Sequence, residues 1–134
     1  MKALGDYTSR LQELIEPGSI DLDLLHRRLM ALRFTWRGHD QGKPLALAYD
    51  WLYDRWSETQ RVQLRGKLAD GCDYLIERIR KDRMSPYNVI LYNAPLQALM
   101  ACSLALYGDD PRGDPAMRFT FDLWKNRVLP VWRQ

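Results

Sequence analysis

The sequence predicts an all-α chain: helical hairpins in which buried inner helices alternate with amphipathic outer ones, as in part of an incomplete (α/α) toroid or solenoid. Three observations predict it. Apolar residues recur every three or four positions along most of the 134 residues, which is the α-helical period. No stretch sustains period-two alternation, and no Asn-Gly or Asp-Gly pair separates β-branched runs, so no strand is expected. Finally, two helices apolar on nearly every side, 44–56 and 94–107, are each followed by an amphipathic one, 58–82 and 114–129. This pair recurs after roughly 50 residues, long enough for a helical hairpin unit. A helix apolar all round needs neighbours on every side, whereas an amphipathic one keeps a face in water. An inner ring packed inside an outer ring meets both needs. A simple bundle, with every helix amphipathic, does not.

Taken in order, residues 6–16 form a first short helix, with Leu11, Leu14 and Ile15 on one face and Pro17-Gly18 ending it. Ser19 or Asp21 opens a helix over 21–36, where Leu22, Leu25, Leu29, Leu32 and Trp36 make a stripe and Arg27, Arg28 and Arg33 lie off it. Gly38 stops it, and 37–43 is a polar connection. Pro44 opens the helix 44–56, whose apolar and aromatic run Asp50 and Asp54 interrupt. A carboxylate on so apolar a helix calls for an arginine partner. Ser57 with Gln60 is a capping box for 58–82, whose inner face is Leu64, Leu68, Cys72, Leu75 and Ile79. Gly66 and Gly71 weaken that helix without breaking its period.

The loop 83–92 leads to 94–107, with Asn93 as N-cap and Pro95 in the first turn, where its missing N–H costs nothing. Gly108-Asp109-Asp110-Pro111 ends it. The last helix, 114–129, carries Met117, Phe121, Leu123, Trp124, Val128 and Leu129, and Pro130 ends it.

The length fits one all-helical domain, 1–134, or a piece of a longer protein. A hydrophobic fraction of 46% is enough to bury a core. The net charge of +3 is too small and too dispersed for a nucleic-acid surface. Cys72 and Cys102 both fall within helices, which favours buried, reduced thiols over a disulfide framework, and no metal-ligand spacing exists. His26, alone among leucines and arginines, is no metal site. No cofactor is expected. No apolar run reaches the roughly 18 residues of a membrane span, so no membrane insertion is expected. The first residues lack the pattern of a signal peptide.

Two stretches carry a resemblance. Leu45-Ala46-Leu47-Ala48-Tyr49-Asp50-Trp51-Leu52-Tyr53-Asp54, followed by Ser57-Glu58-Thr59-Gln60-Arg61, resembles the helical domain of the heparinase II/III-like and alginate-lyase-like polysaccharide lyases. So does Asn93, followed by an Ala/Leu-rich helix ending Leu104-Ala105-Leu106-Tyr107-Gly108-Asp109-Asp110-Pro111. The resemblance spans roughly residues 20–125, and the Tyr-Asp-Trp-Leu-Tyr element is its more specific part. It implies about three hairpins of an (α/α) toroid, from a longer periplasmic or secreted parent with β-sandwich domains.

It also implies β-elimination on an acidic, uronic-acid-containing polysaccharide. The uronate carboxylate must be neutralised, a base must take the C5 proton, and an acid must protonate the departing O4. Asn93 matches the family's asparagine at the start of an inner helix, where unpaired N–H groups and the positive dipole end favour a carboxylate. Tyr92 and Ala94 stand where the family commonly has a histidine. Tyr92 or Tyr87 then becomes the proton-transfer group, provided that a cation such as Arg83 brings its pKa below about 10. Asn88, Trp36, Arg37, His39 and Trp51 complete the candidate substrate-binding set.

Plainer roles stand beside these. Asn93 caps a helix in any case. Asn88 suits a turn. Tyr49, Trp51 and Tyr53 suit a core. His39 suits an exposed loop. Two function classes therefore stay open: a polysaccharide lyase domain, and a non-catalytic helical scaffold or carbohydrate- or protein-binding module. Apolar ends at Leu11, Leu14 and Ile15 and at Phe121, Trp124 and Trp132 predict self-association or dependence on parts beyond these residues.

Overall fold

The computed structural model describes residues 20–34, 41–81 and 95–133, and all its regular elements are helical. The expected helix over 6–16 lies outside the described residues. Helix α1 spans Leu22–Ala31 and is capped by Asp21, whose side chain accepts the Leu24 N–H at 2.9 Å. The leucine stripe predicted a helix reaching residue 36, but Leu32 is already extended. Two interactions account for the early end. The Lys67 ammonium donates to the carbonyls of Met30, at 2.8 Å, and Leu32, so the last turn is satisfied from another helix. Phe34 then packs over Gly71, where a Cβ would fall on the phenyl ring.

Helix α2 spans Gly42–Trp51, starting two residues before Pro44, and gives way to a 3₁₀ turn at Tyr53–Arg55. The expected single helix 44–56 is cut short where Trp56 folds back into the core and its indole N–H donates to the Ala48 carbonyl at 3.0 Å. Asp50 does not need the arginine partner expected for it, because it and Trp51 lie on a solvent-exposed side of α2. Helix α3 spans Glu58–Lys81 and opens on the capping box: Ser57 N–H donates to Gln60 Oε1 at 3.1 Å and Gln60 N–H to Ser57 Oγ at 3.3 Å. Leu64, Leu68, Cys72, Leu75 and Ile79 are all buried, as their spacing predicts.

Helix α4, Pro95–Leu106, buries Leu96, Ala98, Leu99, Cys102, Ser103 and Leu106. It is not closed in on every side, since Gln97 and Leu104 face solvent. Gly108, with φ of 80°, turns the chain, and α5 runs over Gly113–Leu123. Pro130 does not end the helix. The chain passes into a π-helical stretch, Trp124–Val128, and on into α6, Leu129–Trp132. Pro130 is near the start of α6, where its missing N–H is tolerated.

The helices fall into two sets of opposite direction. In α2 and α4 the starts adjoin, with Lys43 Nζ donating to Gln97 Oε1 at 3.1 Å, and the far ends meet where Tyr49 reaches Asp109. Helices α1, α3 and α5 run the other way. Gln60 Nε2 donates to Asp23 Oδ1 at 2.9 Å near the starts of α3 and α1. Arg112, just before α5, pairs with Asp70 of α3 at 2.8 Å, and Arg80 near the end of α3 lies over Phe119 of α5. Helix α4 packs against α2, α3 and α5, which explains its composition. Phe121, Trp124 and Trp132 are exposed. Leu11, Leu14 and Ile15 lie outside the described residues.

Candidate functional site

Tyr49 and Tyr53 are four residues apart, so both phenols leave the same side of the chain at the end of α2. Their rings meet edge to face with centroids 5.5 Å apart. Asp109 is delivered opposite them by the Gly108 turn, whose positive φ suits glycine and reverses the chain just past α4. Tyr49 Oη donates to Asp109 Oδ2, and Tyr53 Oη donates to Oδ1 at 3.2 Å. Arg65 of α3 adds Nη1 at 3.6 Å from the same Oδ1. The Arg61 guanidinium lies 5.0 Å from the Tyr53 ring centroid and pairs with Glu58 at 2.8 Å.

Tyr49 is 1% exposed. Burial, first, and then the hydrogen bond to Asp109 and its negative charge push the Tyr49 phenol well above its usual value; Arg65 pulls weakly the other way. Tyr49 is therefore a fixed proton donor and cannot serve as a base near neutrality. Asp109 accepts from two phenols and faces a guanidinium, so its oxygens are committed. The cluster ties α2, α3 and the end of α4 together. A Tyr pair at i, i+4 and an Asp after a helix-ending glycine were the available sequence signals. Nothing local said that they would meet.

The opposite end of the α2–α4 pair is closed by small residues. Cys102 Sγ donates to the Gly42 carbonyl at 3.5 Å, and a Cβ on Gly42 would sit 3.0 Å from the Phe34 ring and 3.3 Å from Ala98. Cys72 and Cys102 are both free and buried. Contact with Cys72, then burial, holds the Cys102 thiol well above its ordinary range, so it is a packing group rather than a nucleophile. Segments 35–40 and 82–94 of the sequence both lead into this end.

Of the residues expected to act on substrate, Asn93, Tyr92, Tyr87, Asn88, Trp36, Arg37, His39 and Arg83 lie outside the described residues. Trp51 is described, and it is 52% exposed rather than part of the core. It stands on the open side of α2 with Lys43 and Asp50, which the Lys43–Gln97 bond joins to the open stripe of α4. Leu104 at 55% and Tyr107 at 64% exposure make that neighbouring stripe apolar too.

Among the described residues, no group of three or more His, Cys, Asp and Glu is placed to hold a metal ion, and no helix is long and apolar enough to cross a membrane. Comparison with protein-family models, with curated proteins and with solved structures finds no match to this chain.

Proposed function

We propose that this chain is a helical domain of the (α/α)-toroid type from a polysaccharide lyase-like protein, acting by β-elimination on a uronic-acid-containing polysaccharide. The observation that carries this reading is the side-by-side, same-direction pairing of α2 and α4, with α1, α3 and α5 running against them. Inner helices that share a direction turn their positive dipole ends the same way, toward an anionic substrate. The segments leading into those ends carry Trp36, Arg37 and His39 on one side and Tyr87, Asn88, Tyr92 and Asn93 on the other. In this reading Asn93 meets the uronate carboxylate, Tyr92 or Tyr87 transfers the protons, and Arg83 lowers the phenol's pKa. Trp36, Arg37, His39, Asn88 and Trp51 hold the chain of sugars. Further support is that the two stretches carrying the resemblance meet in space, through Tyr49, Tyr53 and Asp109.

The test is to incubate the protein with alginate, heparan and related uronans and to follow the ultraviolet absorbance of the unsaturated product. Turnover should appear with at least one uronan and fall by about 10²–10⁴-fold in Asn93→Ala or Tyr92→Phe. Absence of product with every uronan sinks the catalytic reading.

One observation favours a second reading, a non-catalytic scaffold. The fully described polar cluster is a saturated tie, with its buried phenol locked in the protonated form. In a scaffold, Asn93→Ala costs only about 1 kcal/mol of capping stability. Self-association through Phe121, Trp124 and Trp132 fits either reading. A monomer by light scattering at micromolar concentration would remove it.

A further inference from the structure

Where α3 nears its end, it and the C-terminal helical stretch line an open surface cavity of about 250 Å³. Ile79 and Leu123, both buried, and the half-buried Phe119 make an apolar floor. Arg80, Asp122, Asn126 and Arg127 are exposed around it. The Arg80 guanidinium is held 4.9 Å from the Phe119 ring centroid, so one cation is already positioned over the floor. Asn126 and Arg127 belong to the π-helical stretch, a feature frequent at functional sites. Pro130 has no N–H to give the Asn126 carbonyl, and the Leu129 N–H bonds instead to Trp124 O, five residues back. The widened turn that results contributes Asn126 and Arg127 to the cavity.

No ion pair among the described residues engages Arg80, Arg127 or Asp122. Two guanidinium groups against one carboxylate favour an anion. The floor rewards an apolar body, which a compact ion such as phosphate lacks. The volume, just below the usual range for ligand pockets, suits a single ring. We propose that this cavity binds a small carboxylate carrying an apolar ring or chain. The proposal is independent of the lyase reading, which uses neither Arg80 nor Arg127.

The experiment is a titration of the full chain with benzoate, followed by backbone amide chemical shifts. Saturable shifts are expected at Ile79, Arg80, Phe119, Leu123, Asn126 and Arg127. Benzamide, the neutral isostere, and glucuronate, a carboxylate without an apolar face, should each bind about tenfold more weakly. Arg127→Gln and Arg80→Gln should each weaken benzoate by about tenfold, since each removes a charge-assisted contact. Asp122→Asn should strengthen it by about threefold, since it removes the opposing charge. A merely structural role for Asp122 would not produce that gain. Benzoate shifts elsewhere, equal binding of benzamide or glucuronate, or indifference to all three substitutions would overturn the proposal.

Discussion

The two ends of the α2–α4 pair are fastened by opposite means. At one end Tyr49, Tyr53, Asp109 and Arg65 make a polar tie among three elements. At the other, Gly42, Gly71, Cys102 and Phe34 make close contact through the absence of side-chain atoms. A polar tie is directional: it loses strength bond by bond, and it answers to pH. A steric fit has no direction, but it fails abruptly when volume is added, because a packed interior has nowhere to put it. The difference teaches which end sets the spacing of the two helices and which end sets their register.

The largest expected effect is at the packed end. Gly71→Val should cost about 3 kcal/mol, because the new side chain must displace the Phe34 ring, and urea unfolding would read it. The cost should shrink in a Phe34→Ala background, where the conflict is gone. Equal costs in both backgrounds would break the account of that end. Asp109→Ala at the polar end should cost less, about 2 kcal/mol, by leaving the buried Tyr49 hydroxyl without its acceptor. Tyr49→Phe should then add little to it, since the partner is already lost.

The next effect is visible only at high pH. The folded state raises the Tyr49 pKa, so this group's contribution is fully present below its unfolded value of about 10 and is lost as pH rises through the folded value. Stability should therefore fall with pH above about 10, and Tyr49→Phe should flatten part of that slope. A wild-type slope unchanged in Tyr49→Phe would dissociate the tie from the titration. Smallest of all is Gln97→Ala, which removes the exposed bond from Lys43 and should shift stability by no more than about 0.5 kcal/mol.

Much of the helical plan was legible because it is written locally. The capping box at Ser57 and Gln60 and the five-residue face of α3 are consequences of spacing alone. The misread boundaries have non-local causes. Leucine periodicity through Leu32 and Trp36 could not show that Lys67 would satisfy the end of α1, or that Phe34 would turn toward Gly71. By helix propensity Gly71 is a weak point in α3, whereas its missing Cβ is what admits the ring. Composition leaves Trp51 between a core role and a substrate-binding one and calls for an arginine beside Asp50, and only the placement of α4 shows which side of α2 stays open. The Tyr49–Asp109 tie joins residues 60 positions apart, beyond the reach of any pattern within one helix.

The π-helical stretch carries a consequence for insertions and deletions. A π turn is an α-helix with one residue more than its pitch can hold, and one residue is about 100° of rotation. The stretch therefore absorbs a one-residue length difference between α5 and the chain beyond it. Deleting one position there rotates Val131 and Trp132 to a different side of the molecule while leaving the α5 face bearing Ala116, Thr120 and Leu123 where it is. The length of the chain between residues 124 and 128 thus works as a dial that sets which way Val131 and Trp132 point.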